Sequence, residues 1–367
     1  MKFTCLLLIL SFGLYIIPKK FFKLYGLLSS LLLSWLAFHI NVPISSDLYR
    51  HIEEINYYKL YGFDFAIDTG RINRNPLTVF MYYVFSFFED TRWFQAIIIF
   101  IIYELIFLLI DNISVYEKKD MRWIRMCTTF ALLTFNFYQA VYGVRMWIVF
   151  VIFIFCLYQE MVKQKYRLLC YCIYISLIFF HYAAIILIIS RIFAFIFSQS
   201  YKTKKRIFYN IIYILIIIFI FLIILKNSNL IETIIVKFDG YAQYEVRGLW
   251  QTINSWFKIL TVTIIAVFMR KNSKEGRTKE CCLVCIFIFL IVLIFIGNYQ
   301  VTLRFADCLV ILICTFFPEF PVQKQKNNMI YCTELKISIY RIILIASIFV
   351  NLIYVTIFDY NNLQFLF

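Results

Sequence analysis

Charge is scarce in this sequence, and so are glycine, proline and histidine. Only 16% of its 367 residues are Asp, Glu, Lys or Arg, where a water-soluble globular chain carries about 25%. With 9 Gly in the whole chain, no nucleotide-cradling glycine pattern, Walker motif or G-x-S-x-G elbow is present, which argues against nucleotide-driven chemistry and serine hydrolysis. Three His give no H-E-x-x-H. Cys282 and Cys285 have C-x-x-C spacing, but no second pair or nearby His completes a metal site. They read as small apolar residues of a lipid-facing helix. No metal and no cofactor is expected.

Acidic residues are also few, 21 against 36 Lys and Arg, a formal charge of +15. In a soluble protein that balance would suggest nucleic acid. Here the cations lie in short clusters between apolar runs, as expected for positive-inside anchoring. No basic stretch is long enough for a nucleic-acid-binding domain, so no nucleic-acid partner is expected.

What the sequence has in quantity is apolar surface. Hydrophobic residues make up 63%, the mean hydropathy is +0.82, and there are 42 Phe and 27 Tyr. The predicted class is all-α: a polytopic integral membrane protein forming a single transmembrane domain over 1–367. A crossing needs about 20 apolar residues, with about 17–25 common. The candidate crossings are 3–17, 24–42, 93–110, 126–142, 144–162, 167–181, 183–198, 207–225, 256–269, 281–297, 303–317 and 337–358, about twelve transmembrane helices. The first resembles a signal peptide in composition. It lacks an A-x-A-like cleavage site and runs into Pro18-Lys19-Lys20, so it is expected to be retained.

Lys and Arg cluster in alternate loops, around Lys19–Lys23, Lys118–Arg125, Lys163–Arg167, Lys202–Arg206, Arg270–Lys279 and Lys324–Lys336. These loops should be cytoplasmic, which places both termini outside. The apolar run Leu77–Phe88 measures about 18 Å as a helix, too short to cross. It is predicted to be a re-entrant or interfacial helix, a form tolerated where protein or water satisfies the backbone. Two extracytoplasmic loops are long, about 41–92 and 226–255. Loops of that length are usually functional or disordered, and their Tyr, Ile and Leu content argues against disorder.

Residues Asp47–Tyr61 read as an amphipathic helix with Leu48, Ile52, Ile55 and the stem of Lys59 on one stripe. Asp47 suits an N-cap or first-turn anion there, or else a general base or sugar-hydroxyl ligand held beside Arg50. Arg50, Arg71, Arg74, Arg145, Arg247 and Arg304 sit on the side where cations are disfavoured. Arg145 follows the break at Tyr142-Gly143, and Arg304 follows Gly297-Asn298. Charges at a membrane edge are costly, and guanidinium forks match phosphate oxygens, so either headgroup snorkelling or an anionic substrate is implied. His181, in Phe179-Phe180-His181-Tyr182-Ala183-Ala184, reads as a packing residue, a proton acceptor or a ligand to sugar or phosphate.

Four patches carry a family likeness: Ser46-Asp47-Leu48-Tyr49-Arg50-His51; Gly143-Val144-Arg145 ahead of a long apolar helix and Lys163-Gln164-Lys165; Phe180-His181-Tyr182-Ala183-Ala184; and Leu303-Arg304-Phe305-Ala306-Asp307 in a helix ending at Pro318. In this order they resemble the bacterial polysaccharide polymerases of the Wzy class, in particular the EpsG-like branch. The resemblance implies a multi-pass enzyme of the bacterial inner membrane that joins undecaprenyl-diphosphate-linked oligosaccharide repeats into O-antigen, capsule or exopolysaccharide. Arg145 and Arg304 would then grip the diphosphate, and Arg50 and Arg74 the second lipid-linked substrate. Asp47 or His181 would take the acceptor proton, and Tyr241 and Tyr244 would contact sugars. Membrane lipids, a flippase and a chain-length regulator are the implied partners. The alternatives are a flippase of lipid-linked oligosaccharide and a glycosyltransferase using a lipid-phosphate sugar donor.

Overall fold

The computed structural model describes residues 2–42, 46–71, 75–116, 118–199, 249–272, 276–294 and 299–316, with a few isolated positions beside them. Among the described residues the regular structure is helical, without a strand. Helix α1 is Lys2–Ile16; after a 3-10 turn at Lys19–Phe21 comes α2, Phe22–Phe38. Three shorter helices follow: α3 (Asp47–Tyr61), α4 (Asp64–Asp68) and α5 (Pro76–Ser86). Helix α6 runs over Arg92–Tyr116, α7 over Met121–Thr134, α8 over Phe137–Tyr142 and α9 over Val144–Tyr158, which continues as a π-turn through Lys163. Helices α10 (Arg167–Phe180) and α11 (Ala184–Gln199) precede α12 (Leu249–Asn272), α13 (Gly276–Ile294) and α14 (Tyr299–Phe316).

Among the described residues, three helical stretches are long and apolar enough to cross a membrane: Lys19–Phe38, Arg92–Tyr116 and Val144–Lys163. The 25 residues of α6 measure about 37 Å, more than the hydrocarbon thickness of about 30 Å. The segments Cys5–Ile16, Arg167–Phe180, Ala184–Ser198, Ser255–Val267 and Glu280–Leu293 are apolar but shorter. This is a helical protein of membrane-spanning character. The candidate crossings 207–225 and 337–358, and most of the loop 226–255, lie outside the described residues.

The densest packing joins α2 to α6. Gly26 makes it possible, since a Cβ there would stand 2.8 Å from Cβ of Phe107. Helix α6 also packs against α7 and α9; α14 lies against α7, α9, α12 and α13; and α11 pairs with α13. The side chains of α9 are buried almost throughout.

Two expectations need correction. The single crossing 126–142 is two helices, α7 and α8, because Phe135 turns extended and Asn136 caps a new helix by accepting from the Gln139 amide at 3.2 Å. Cys281, Cys282 and Cys285 do not face lipid: all three are buried against neighbouring helices, since α13 presents this stripe inward. By contrast, the loop 41–92 is ordered into α3–α5. Of these, α5 begins with Pro76 at its first position and is 11 residues long, the half-helix anticipated at 77–88.

Candidate functional site

Helix α3 starts at Ser46, whose hydroxyl accepts from the Tyr49 amide at 3.1 Å. Asp47 is therefore in the first turn rather than at the cap, and its carboxylate is released for other partners. The N-terminal end of a helix favours an anion there. Asp47 Oδ1 takes the guanidinium of Arg50 one turn on, and Oδ2 accepts from Arg304 Nη2 at 3.1 Å. Arg304 lies in the second turn of α14, 257 positions away in sequence. Its other terminal nitrogen points at Sδ of Met146, 3.9 Å distant, the residue after Arg145 at the start of α9. Three helix N-terminal regions thus meet around one carboxylate.

The buried face of α3 comprises Leu48, His51, Ile55 and Tyr58, not the Leu48–Ile52–Ile55–Lys59 stripe read from periodicity. Ile52 is half-buried, and Lys59 is exposed and donates to the Glu89 carbonyl at 2.9 Å. The imidazole of His51 stands one turn beyond Asp47, with its Nδ1 2.7 Å from the Tyr82 hydroxyl of α5. Phe94 of α6 packs edge-on against both rings. Burial, then the guanidiniums of Arg145, Arg50 and Arg304 with His181 nearby, hold the His51 imidazole well below its ordinary value of 6.5. A buried group surrounded by cations disfavours a further positive charge. Those same interactions place Arg145 and His181 in the His51 neighbourhood. Arg145 also acts on Tyr82, whose hydroxyl is raised chiefly by burial.

His181 forms the extended break between α10 and α11. Its Nδ1 accepts from the Ala183 amide at 3.1 Å. Thr78 of α5 donates to the carbonyl of Phe180 at 2.8 Å, tying the half-helix to this break. The structure therefore gathers Asp47, Arg50, Arg145, His181 and Arg304 from four separate stretches of sequence. Among the described residues Arg145 has no carboxylate partner, while Asp47 serves both Arg50 and Arg304. Among the described residues, three guanidiniums here stand against one carboxylate, an excess of two positive charges.

Beneath this site lies a buried ion pair. Lys258 Nζ of α12 contacts Asp307 Oδ1 of α14 at 2.7 Å, with side-chain exposures of 1% and 0%. Lys258 also donates to the Thr134 carbonyl at 2.7 Å, and the other Asp307 oxygen accepts the Asn136 amide at 3.3 Å. The backbone groups freed where α7 breaks into α8 are thereby satisfied, as a membrane interior demands. The pair fixes α14 one turn below Arg304. On the other flank, the Trp147 indole donates to the Gln139 carbonyl at 2.6 Å, closing the α8–α9 corner beside Arg145. A Cβ at Gly143 would meet that carbonyl at 3.1 Å and the indole nitrogen at 3.3 Å.

Arg71 is not part of the site. It pairs with Glu54 and lies over the Phe65 ring, 4.8 Å to its centroid. Arg74, Tyr241, Tyr244 and Arg247 lie outside the described residues. Sequence reasoning passed over His51 as a site residue, although the four-residue spacing from Asp47 puts both on one helical face. It also missed Lys258 and Asp307, whose opposite charges inside two apolar runs were a usable signal. Compared with protein-family models, curated proteins and solved structures, the chain matches none. Fold and site define a class: a helical protein of membrane-spanning character with a cation-rich site where helix ends meet.

Proposed function

We propose that this chain is a polysaccharide polymerase of the Wzy class, EpsG-like, acting on undecaprenyl-diphosphate-linked repeats at the outer face of a bacterial inner membrane. In this reading the chain crosses about twelve times with both termini outside. The supporting observation is that Arg50 and Arg304 both hold Asp47, with Arg145, His51 and His181 in the same neighbourhood, an excess of two positive charges among these described side chains. A bridging diphosphate diester carries two negative charges.

In the proposed mechanism Arg145 and Arg304 hold the donor diphosphate and stabilise the charge that develops as it departs. The acceptor hydroxyl attacks the anomeric carbon. A new glycosidic C–O bond forms, the anomeric C–O bond to phosphate breaks, and undecaprenyl diphosphate leaves with the bonding pair. The hydroxyl proton passes to Asp47, while His181, its Nδ1 taken by the Ala183 amide, is placed as an Nε2–H donor to substrate oxygens. Asp47 is paired with Arg50 and Arg304. A phosphate that takes over those guanidiniums frees the carboxylate to act as a base. Arg74, Tyr241 and Tyr244 would bind the second substrate and its sugars. The donor's energy is in its diphosphate ester, so no nucleotide site is needed.

Incubating purified protein with a synthetic undecaprenyl-diphosphate repeat unit should give a ladder on a gel. A folded, intact preparation that leaves only single repeats would refute the reading. The flippase alternative draws support from one observation, the buried charges of Lys258–Asp307 within apolar helices, because transporters place ionisable groups there. Deletion distinguishes the two. Loss of a polymerase leaves single repeat units at the cell surface, whereas loss of a flippase leaves none.

A further inference from the structure

We infer that His51 is a neutral hydrogen-bond donor to a phosphoryl oxygen of the bound lipid diphosphate, with its Nε2–H presented to the site and its tautomer fixed by Tyr82. This inference rests on the anion-site reading above and adds a residue to it.

Tyr82 Oη and His51 Nδ1 are 2.7 Å apart in a buried setting, and this is the one hydrogen bond of the Tyr82 hydroxyl among the described residues. Two arrangements fit that distance. If Nδ1–H donated to the hydroxyl, the phenolic proton would be left without an acceptor in a buried place, at a cost of about 1–3 kcal/mol. If the hydroxyl donates to Nδ1, both groups are satisfied. Tyr82 retains its proton because burial raises the hydroxyl, so the second arrangement holds.

A neutral imidazole that accepts at Nδ1 carries its proton on Nε2. It is therefore a donor there and not a base. Burial, and then the neighbouring guanidiniums of Arg145, Arg50 and Arg304, oppose a second proton. The ring is clamped by Phe94 and Tyr82, so the donor is held in place before any ligand arrives. A neutral donor suits this position because a fourth cation would add to the repulsion among the guanidiniums, while an N–H adds a directional contact to an oxyanion. The proton acceptor in the reaction is then Asp47, and not His51 or His181, whose Nδ1 likewise accepts a hydrogen bond, from the Ala183 amide.

The test uses full-length protein in detergent, labelled with nitrogen-15 at histidine. Only 3 histidines are present, so the imidazole resonances of His39, His51 and His181 can be separated by substitution. The expected result is an Nε2-protonated His51 that mixes tautomers in Tyr82→Phe. Binding of a short-chain prenyl diphosphate is measured beside it. His51→Gln, whose amide reproduces a donor near Nε2, should bind within about twofold of wild type, and His51→Leu about tenfold more weakly, the factor given by one lost hydrogen bond. An Nδ1-protonated His51, or equal losses in the Gln and Leu variants, overturns the inference. Binding that depends on Arg304 but not on His51 overturns it alone and leaves the polymerase reading standing. Absence of binding by wild type, with no effect of Arg304→Ala, overturns both. Phosphatidylglycerol nanodiscs competing as well as the prenyl diphosphate would identify a headgroup site and also overturn it.

Discussion

Among single residues, the arginines differ in what they can contribute. Arg50 is 64% exposed and Arg304 19% exposed in their side chains. An exposed pair contributes about 0–1 kcal/mol, so Arg50→Ala should lower polymer yield only a few-fold. Arg304→Ala should lower it by more than about tenfold, since a half-buried fork loses both its charge and its geometry. Arg145→Lys tests bidentate binding directly. Polymer length on a gel should collapse, because an ammonium cannot reproduce two parallel contacts, and full-length polymer from that variant would remove the bidentate grip. His51 predicts a pH effect on stability. Its folded value lies below 6.5, so the unfolded chain binds a proton that the folded chain refuses. Stability is complete above the unfolded value and declines as pH falls beneath it. Thermal unfolding in detergent between about pH 7.5 and about 5.5 should therefore show a falling Tm. His51→Gln should flatten the slope, and an unchanged slope would exclude His51 as its source.

Among elements, the break between α7 and α8 governs the site. Lys258 and Asp307 hold it from two other helices. Removing one partner strands a charge in a dry interior, at about 3–5 kcal/mol. Asp307→Asn and Lys258→Met should each lower Tm sharply, while Lys258→Met combined with Asp307→Leu should recover much of the loss. A double variant as unstable as the worse single one would show that the backbone contacts, not the charges, dominate. A second buried network, Arg191 with Glu160 and Glu280 at 2.8 Å to the latter, joins α11 to α9 and α13. Tyr174 adds a hydrogen bond to Glu160 at 3.0 Å. One guanidinium bridges two carboxylates, and the network reads as the fastener of these helices. At Gly26, substitution by Val should disrupt the α2–α6 contact, because Phe107 occupies the space a side chain would need. Loss of folded protein in detergent chromatography is the expected outcome.

At the scale of the whole molecule, the proposal requires that positions 47, 145 and 304 share one side of the bilayer. Single cysteines placed there should react with a membrane-impermeant maleimide applied from the periplasmic side. Reaction of any one of them only from the cytoplasm would dismantle the common pocket. Among the described residues Cys5 and Cys172 are exposed and are replaced first, whereas Cys127, Cys156, Cys170, Cys281, Cys282, Cys285 and Cys308 are buried.

Much of this architecture was legible in the sequence because a bilayer imposes one-dimensional rules. Apolar run length and cation position are local quantities, and they located α1, α2, α6, α9, α10, α11 and the half-helix α5 to within a few residues, except that α6 runs on to Tyr116. The span of α3 was read correctly from its apolar spacing. Its inward face was not, because the choice between the Lys59 stem and His51 depends on what stands opposite, and Tyr82 and Phe94 come from other helices. The same holds for the α7–α8 break. Composition reads 126–142 as one apolar run, whereas Asp307 and Lys258, far away in sequence, offer partners to the backbone groups an interruption would expose. Residue type and order alone determined a helical, membrane-spanning character and named most of the charged candidates. Only the tertiary structure decided which of them meet, because long-range pairing depends on three-dimensional packing that no local window contains.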